Sequence, residues 1–288
     1  MDEKDWITLQ LLAQEKNITK TADRMFISQP SLTYRLQQIE KEFGITLLYR
    51  GRRGVEFTEQ GTRLVEYAKE MLVQLANIKE ELRSMEGKVQ GTIRLGVSRA
   101  IALYKLPDLL KQFLELYPLV DFTVKDGLNV DLITSVFQQE VQIGIVRGDH
   151  PWSGAKQVID QETIGVISSH PVKLDSLVEQ PRITYNTDPA LIMVIDNWWK
   201  SNYSKPPLVT MHVETMEIAK RMVQRGLGYA IMPSIVMEKE EELTQIPLRD
   251  VNGKPILWTT WVLYRQEFME LATVKAFVDF IREHYQST

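Results

Sequence analysis

The residues best equipped for chemistry fall into two groups. The first lies between Thr19 and Arg53: Ser28, Gln29, Ser31, Thr33 and Arg35 crowd into one short stretch, with Thr19 and Lys20 before it and Arg50, Arg52 and Arg53 after it. Gln pairs bidentately with adenine and Arg with guanine at the edges of a DNA major groove, while Ser and Thr read more permissively. Thr19 and Lys20 are suited to phosphate contacts, which set register without reading sequence. The three arginines have no acidic residue between them, so they form a local positive patch in a chain whose formal net charge is -4. A lone arginine-rich turn is usually a solvated turn. A basic tip directly behind a base-reading segment favours DNA instead.

The second group is Ser98, Arg99, Arg147 and Thr215. Each stands where a strand-like run ends or a helix-like run begins, and helix N-termini at the carboxyl ends of strands offer free N–H groups to anions. Together they could clamp a small carboxylate. The plainer reading is that Arg99 and Arg147 are surface or inter-lobe salt-bridge residues.

Catalytic signals are missing from the sequence. There is no cysteine, hence no thiolate nucleophile, disulfide or cysteine-ligated metal. His150, His170, His212 and His284 show no metal-ligand spacing. No glycine-rich phosphate loop or nucleophile elbow occurs. The expectation is a non-enzyme without metal or cofactor, in which Trp198 and Trp199 pack a core and residues 238–242 form a solvated acidic run.

The elements that must position these residues follow from periodicity. Trp6, Leu9, Leu12 and Ala13 predict a helix ending near Lys16, and Asn17 and Thr19 offer caps for a short second helix through Thr21, Ala22 and Met25. Ser28 can cap a third, with Pro30 in its first turn and an inward stripe of Leu32, Leu36 and Ile39, stopping around Gly44. Leu47–Tyr49 and Val55–Phe57 read as strands around the basic tip. The pattern is a helix–turn–helix with a wing.

From Thr58 to Met85 a heptad seam of Leu64, Ala68, Met71, Leu75, Ile78, Leu82 and Met85 predicts one long helix that wants a partner helix. Burial against its own C-terminal domain is the alternative. Beyond Gly87 and Gly91 strands and helices alternate: a strand at 92–97, a helix at 101–116, strands at 122–124 and 141–146 enclosing a helix at 128–137. Further segments follow at 165–167, 190–202, 216–225, 228–232, 256–264 and 271–285. Alternation of this kind implies a mostly parallel sheet, and two α/β lobes joined by crossing strands account for it. At 288 residues the chain has length for about two domains. No stretch approaches the roughly 20 apolar residues of a membrane span, and no apolar leader follows the acidic start, so a cytoplasmic protein is expected.

The run from Thr21 to Leu36, continued by Ile39-Glu40, Gly44, Leu47-Leu48-Tyr49-Arg50, Phe57-Thr58 and Gly61, resembles the helix–turn–helix of LysR-type transcriptional regulators. Thr21 and Gln60 stand where the family carries small residues. The resemblance implies an α+β and α/β multidomain chain. Residues 1–58 would be a winged helix–turn–helix and 59–87 a dimerising linker helix. Residues 88–288 would be a periplasmic-binding-protein-like effector domain, with lobe I at 88–161 and 266–288 and lobe II at 162–265. The implied partners are promoter DNA, further copies of the chain in a dimer or tetramer, and RNA polymerase if the protein activates. Ile143–Gly148 and Asn197-Trp198-Trp199 resemble the citrate-responsive catabolite-control branch, which carries a further arginine where Trp258 stands here. Citrate and a less charged or aromatic acid are equally compatible effectors. The alternative function is a cytosolic solute-binding protein or an enzyme with an appended helical domain, which would lack salt-dependent binding to upstream DNA.

Overall fold

The computed structural model describes residues 1–51, 54–84, 88–237 and 243–286. Backbone contacts divide the chain into two compact units, Met1–Leu82 and Arg83–Thr288.

In the first unit, helices α1 (Glu3–Glu15), α2 (Ile18–Arg24) and α3 (Gln29–Phe43) precede a hairpin of β1 (Leu48–Gly51) and β2 (Gly54–Phe57). The long helix α4 (Glu59–Ser84) follows. Local chemistry sets these boundaries. Asn17 caps α2 by accepting from Lys20 N–H, and Thr19 lies inside the helix. Ser28 caps α3 by accepting from Ser31 N–H, and Gly44 ends that helix in the left-handed conformation at φ 63°. Leu9, Leu12, Leu32, Leu36 and Ile39 fill the core. Gly61 is required where α4 leaves the wing, because a Cβ there would sit 2.3 Å from the Leu47 carbonyl oxygen.

The predicted seam on α4 divides. Leu64 and Ala68 are buried in the core of their own unit, so they are already used within the chain. Met71 and Leu75 are half-buried, whereas Ile78 and Leu82 are exposed. A heptad count cannot separate the two uses, because α4 presents one stripe first to its own core and then to whatever covers its far end. Met85 lies outside the described residues.

The second unit contains β3 (Gly91–Ser98), α5 (Arg99–Tyr104), α6 (Leu106–Leu116), β4 (Val120–Gly127), α7 (Asn129–Phe137) and β5 (Ile143–Arg147). The long β6 (Ala155–Ser168) leads to β7 (Arg182–Tyr185), α8 (Pro189–Asn202), β8 (Val209–Val213), α9 (Met216–Gln224) and β9 (Ala230–Pro233). The chain closes with β10 (Thr244–Pro247), β11 (Leu257–Tyr264) and α10 (Ala272–Gln286). The strand order is β10-β6-β11-β5-β3-β4, with β9 also on β6, and β7 pairs β8 separately. Strands β3, β4 and β5 run parallel, and so do β7 and β8, but β5–β11, β11–β6, β6–β9 and β6–β10 pair antiparallel, so the sheet is mixed rather than mostly parallel.

One end of β6 pairs β11, which also pairs β5 and so belongs with lobe I rather than with the 162–265 lobe expected, and the other end pairs β9 and β10 in lobe II. Only residues 165–167 of this crossing strand were expected, because polar residues such as Gln157, Asp160 and Glu162 hide its first half. The single helix expected over 101–116 is two, parted at Lys105. Pro107 sits in the first turn of α6, where it disfavours continuing a helix through the preceding residues. Lobe I packs on Phe113, edge-on to Phe122 and Phe277 with centroids 5.8 and 4.9 Å apart. Lobe II packs on Trp198 and Trp199, whose indole N–H groups donate to the Arg249 and Lys205 carbonyls at 3.1 and 2.9 Å.

Candidate functional site: a base-reading helix and an inter-lobe cavity

The first turn of α3 is open to solvent. Ser28, Gln29, Pro30 and Ser31 are exposed and Thr33 is half-buried. Ser28 and Ser31 share a 2.7 Å hydroxyl contact, and the Gln29 amide donates to Thr33 Oγ1 at 2.9 Å, so the polar groups form one small array. Thr19 and Lys20 are exposed at the start of α2. Arg35 departs from expectation. Its guanidinium binds Asp5 at 2.7 Å and lies 3.5 Å from Asp2, which makes it a strut between α3 and α1 rather than a free base reader. The expectation missed Tyr34 and Gln38, which continue the exposed face of Ser31 at helical spacing. Arg52 and Arg53, and the Arg50 side chain, lie outside the described residues.

In the second unit a cavity of about 290 Å³ lies at the carboxyl ends of β3, β4 and β5 on one side and of β7 and β8 on the other. This is where open α/β sheets take ligands. Ser98, Arg99, Arg147 and Thr215 all line it. Their states differ. Arg99 is mostly exposed and lies 3.4 Å from Asp126. Thr215 caps α9 by accepting from Ile218 N–H at 3.2 Å. The hydroxyl of Ser98 is buried and makes no hydrogen bond among the described residues, although Ser98 directly precedes α5.

Arg147 requires correction. Its side chain is only 5% exposed and its guanidinium is paired with Glu162, so it is a buried strut between β5 and β6 and not a free clamp. Glu162 also accepts from the Ile235 N–H, which anchors the pair to the segment after β9. Burial pushes the Glu162 carboxyl above its ordinary range, against the downward pull of Arg147. The same burial lowers the Arg147 guanidinium. The Arg147 Nε has no partner among the described residues.

Several lining residues escaped the sequence reading. Asp188 is buried and caps α8 by accepting from Ala190 N–H at 2.9 Å. Its other oxygen accepts from the Asn129 side-chain amide at 2.9 Å. Asn129 in turn donates to the Arg147 carbonyl at 2.8 Å and accepts from the Arg147 N–H at 3.1 Å. His150 Nε2 lies 2.9 Å from the same carbonyl, so it carries the proton of that bond, and it stands 4.0 Å from Asp188. Trp258 forms another wall, pressed so close to Gly148 that a Cβ there would meet the ring at 2.6 Å. Asp188-Pro189 is a readable helix start, but nothing local shows that its carboxylate faces a cavity.

Among the described residues no cluster of His, Asp or Glu could hold a metal ion, and no helix is long and apolar enough to cross a membrane.

Comparison with known families decides the assignment. Residues 4–62 match the bacterial regulatory helix-turn-helix protein, lysR family, and residues 86–286 match the LysR substrate binding domain. The chain belongs to the LysR family. It is a DNA-binding transcriptional regulator with an effector-binding domain, and not an enzyme. It is similar to the HTH-type transcriptional regulator YraN of Bacillus subtilis (strain 168), with 41% identity covering 98% of each chain. It is also similar to YkuM of the same organism, with 32% identity over 96% of this chain and 94% of that one. Among solved structures, the regulator's fold is that of CbnR, a LysR family transcriptional regulator, at a TM-score of 0.74 and 18% identity over 99% of each chain. CbnR has also been solved full-length with its target DNA; that chain matches at a TM-score of 0.73 and 19% identity, over 98% of this chain and 99% of that one.

Proposed function

We propose that this regulator acts in the cytoplasm as a dimer or tetramer on promoter DNA, and that a small organic acid in the inter-lobe cavity sets its DNA affinity or geometry. The observation that carries the effector reading is the cavity itself, with an unpartnered Ser98 hydroxyl and the uncapped start of α7 on one wall. On the DNA side, Ser28, Gln29, Ser31 and Thr33 read base edges, while Thr19, Lys20 and the wing arginines Arg50, Arg52 and Arg53 hold phosphates. Ile78 and Leu82, exposed on α4, meet a second copy of the helix. If the regulator activates, RNA polymerase is a further partner.

The test is fluorescence anisotropy of the full-length chain on DNA from upstream of its own gene, across a salt series, with and without organic acids. Coupling of the usual size, about 1–3 kcal/mol, changes affinity roughly 5- to 150-fold. Gln29→Ala should cost about 1–3 kcal/mol on the specific site and much less on scrambled DNA. Lys20→Ala should weaken both equally and reduce the salt slope by about one. Equal losses on both DNAs for Gln29→Ala would remove that residue from base reading.

A further inference from the structure

Resting on the reading of this cavity as the effector site, we propose that the effector is a zwitterion with one carboxylate, one ammonium group and an apolar body, of the class of the apolar α-amino acids.

The charges around the cavity argue against a polyanion. Asp126, Asp188 and Glu217 line it alongside Arg99 and Arg147. Both arginines are already engaged, Arg147 by Glu162 and Arg99 by Asp126. Asp126 and Glu217 are in turn offset by Arg99 and Arg221, which leaves Asp188 as the lining carboxylate without a lysine or arginine partner among the described residues. A tricarboxylate would meet that charge with both lining guanidiniums already paired, and like-charge contact at a desolvated site is costly.

The acceptor for a cation is Asp188. It is 6% exposed, no lysine or arginine among the described residues lies within ion-pair distance of it, and its one basic neighbour, His150 at 4.0 Å, spends the facing Nε2 on the Arg147 carbonyl. Its bonds come from Ala190 N–H and the Asn129 amide, one to each oxygen. A carboxylate has about four acceptor positions, so two donors leave it short of partners, and a buried carboxylate with no hydrogen-bonded cation is expensive. An ammonium group, with three donors and one charge, meets both needs.

The donors for an anion lie on the other wall. Ser98 is 6% exposed and its hydroxyl has no partner among the described residues. Beside it, α7 starts at Asn129 behind Leu128, which supplies no side-chain cap, so the N–H groups of that first turn remain available. Asp188 touches Asn129, the first residue of α7. The anionic acceptor and the free donors are therefore neighbours, as the two charged groups of an α-amino acid are. Leu103, Leu191, Met216 and Trp258 supply the apolar lining for a side chain.

The experiment is isothermal calorimetry on the full-length protein, with thermal shift alongside. The ligands are the apolar L-amino acids valine, leucine, isoleucine, methionine, phenylalanine, tyrosine and tryptophan, the des-amino acids 4-methylpentanoate and 3-phenylpropanoate, and citrate. The expected result is binding of at least one amino acid, about 10- to 150-fold tighter than its des-amino counterpart, the range of one hydrogen-bonded charge. Ser98→Ala should weaken all carboxylates together. Asp188→Asn keeps the α8 cap, since Asn caps as well as Asp, and should erase the preference for the amino group. Tighter binding of a des-amino acid or of citrate overturns the zwitterion while the carboxylate effector stands. Amino-acid binding that neither variant alters overturns the cavity as its site. A chain that binds DNA but no compound of the panel overturns both effector claims and leaves DNA binding intact.

Discussion

Ser98 and Thr215 hold corresponding places in the two lobes. Ser98 ends one parallel strand and Thr215 follows another, and each precedes a helix and lines the same cavity. Yet Thr215, with φ at -136°, accepts from Ile218 N–H and closes its own helix, whereas Ser98, with φ at -58°, makes no cap hydrogen bond. The difference extends to the neighbouring helices. Asp188 caps α8 in lobe II, while Leu128 leaves α7 uncapped in lobe I. Lobe II satisfies its helix ends internally and turns a carboxylate to the cavity; lobe I keeps unmet donors there. The two faces of one cavity thus have different needs.

The largest effect is expected at the Arg147–Glu162 pair. Glu162→Ala would strand the buried Arg147 guanidinium, and losing one partner of a buried pair typically costs about 3–5 kcal/mol. The double variant Arg147→Met/Glu162→Leu should lose far less, and urea midpoints of the full-length chain compare the two. Equal losses would mean that packing, not charge, joins β5 to β6. Gly148→Ala comes next. Its φ of 85° and the Trp258 ring at 2.6 Å from a new Cβ predict a loss of about 1–3 kcal/mol. An unchanged midpoint would show that Trp258 swings aside, and the cavity wall with it.

Ser98 and Thr215 should respond differently to truncation. Thr215→Ala should cost about 1 kcal/mol, the usual value of an N-cap, whereas Ser98→Ala should leave stability unchanged and remove only ligand affinity. If both destabilise alike, the lobes do not differ in the way described. The smallest effect is expected from Arg99→Ala. Its pairing with Asp126 is solvent-exposed, and exposed pairs are worth about 0.2–1 kcal/mol. Any large loss of ligand affinity in this variant is then attributable to contact with the ligand.

Much of the first unit could be read directly. The caps at Asn17 and Ser28, the stop at Gly44 and the stripe Leu32, Leu36, Ile39 act over three or four residues, the range over which side chains and backbone N–H groups meet along one helix. The alternation of strands and helices beyond Gly91 and the strand-end positions of Ser98, Arg147 and Thr215 rest on equally local patterns. The break at Lys105 was also local, signalled by Pro107, and was passed over because the apolar period continues across it.

The state of each site residue was decided elsewhere. Asn129 reaches Asp188 across 59 positions of sequence, Ile235 reaches Glu162 across 73, and Arg35 reaches Asp5 across 30. No periodicity records such pairings, because they depend on which elements the sheets bring together. An arginine at a strand end reads the same whether it is free or paired. From the sequence came the family, the polar first turn of α3 and four residues that line the cavity, Ser98, Arg99, Arg147 and Thr215. Tertiary structure alone turned Arg147 and Arg35 into struts, consumed Leu64 and Ala68 of the α4 seam within its own core and left Ser98 and Asp188 facing a cavity with unmet needs. Burial is the physical reason: a polar group's energy depends on who shares its low-dielectric surroundings, and those neighbours are chosen by the fold.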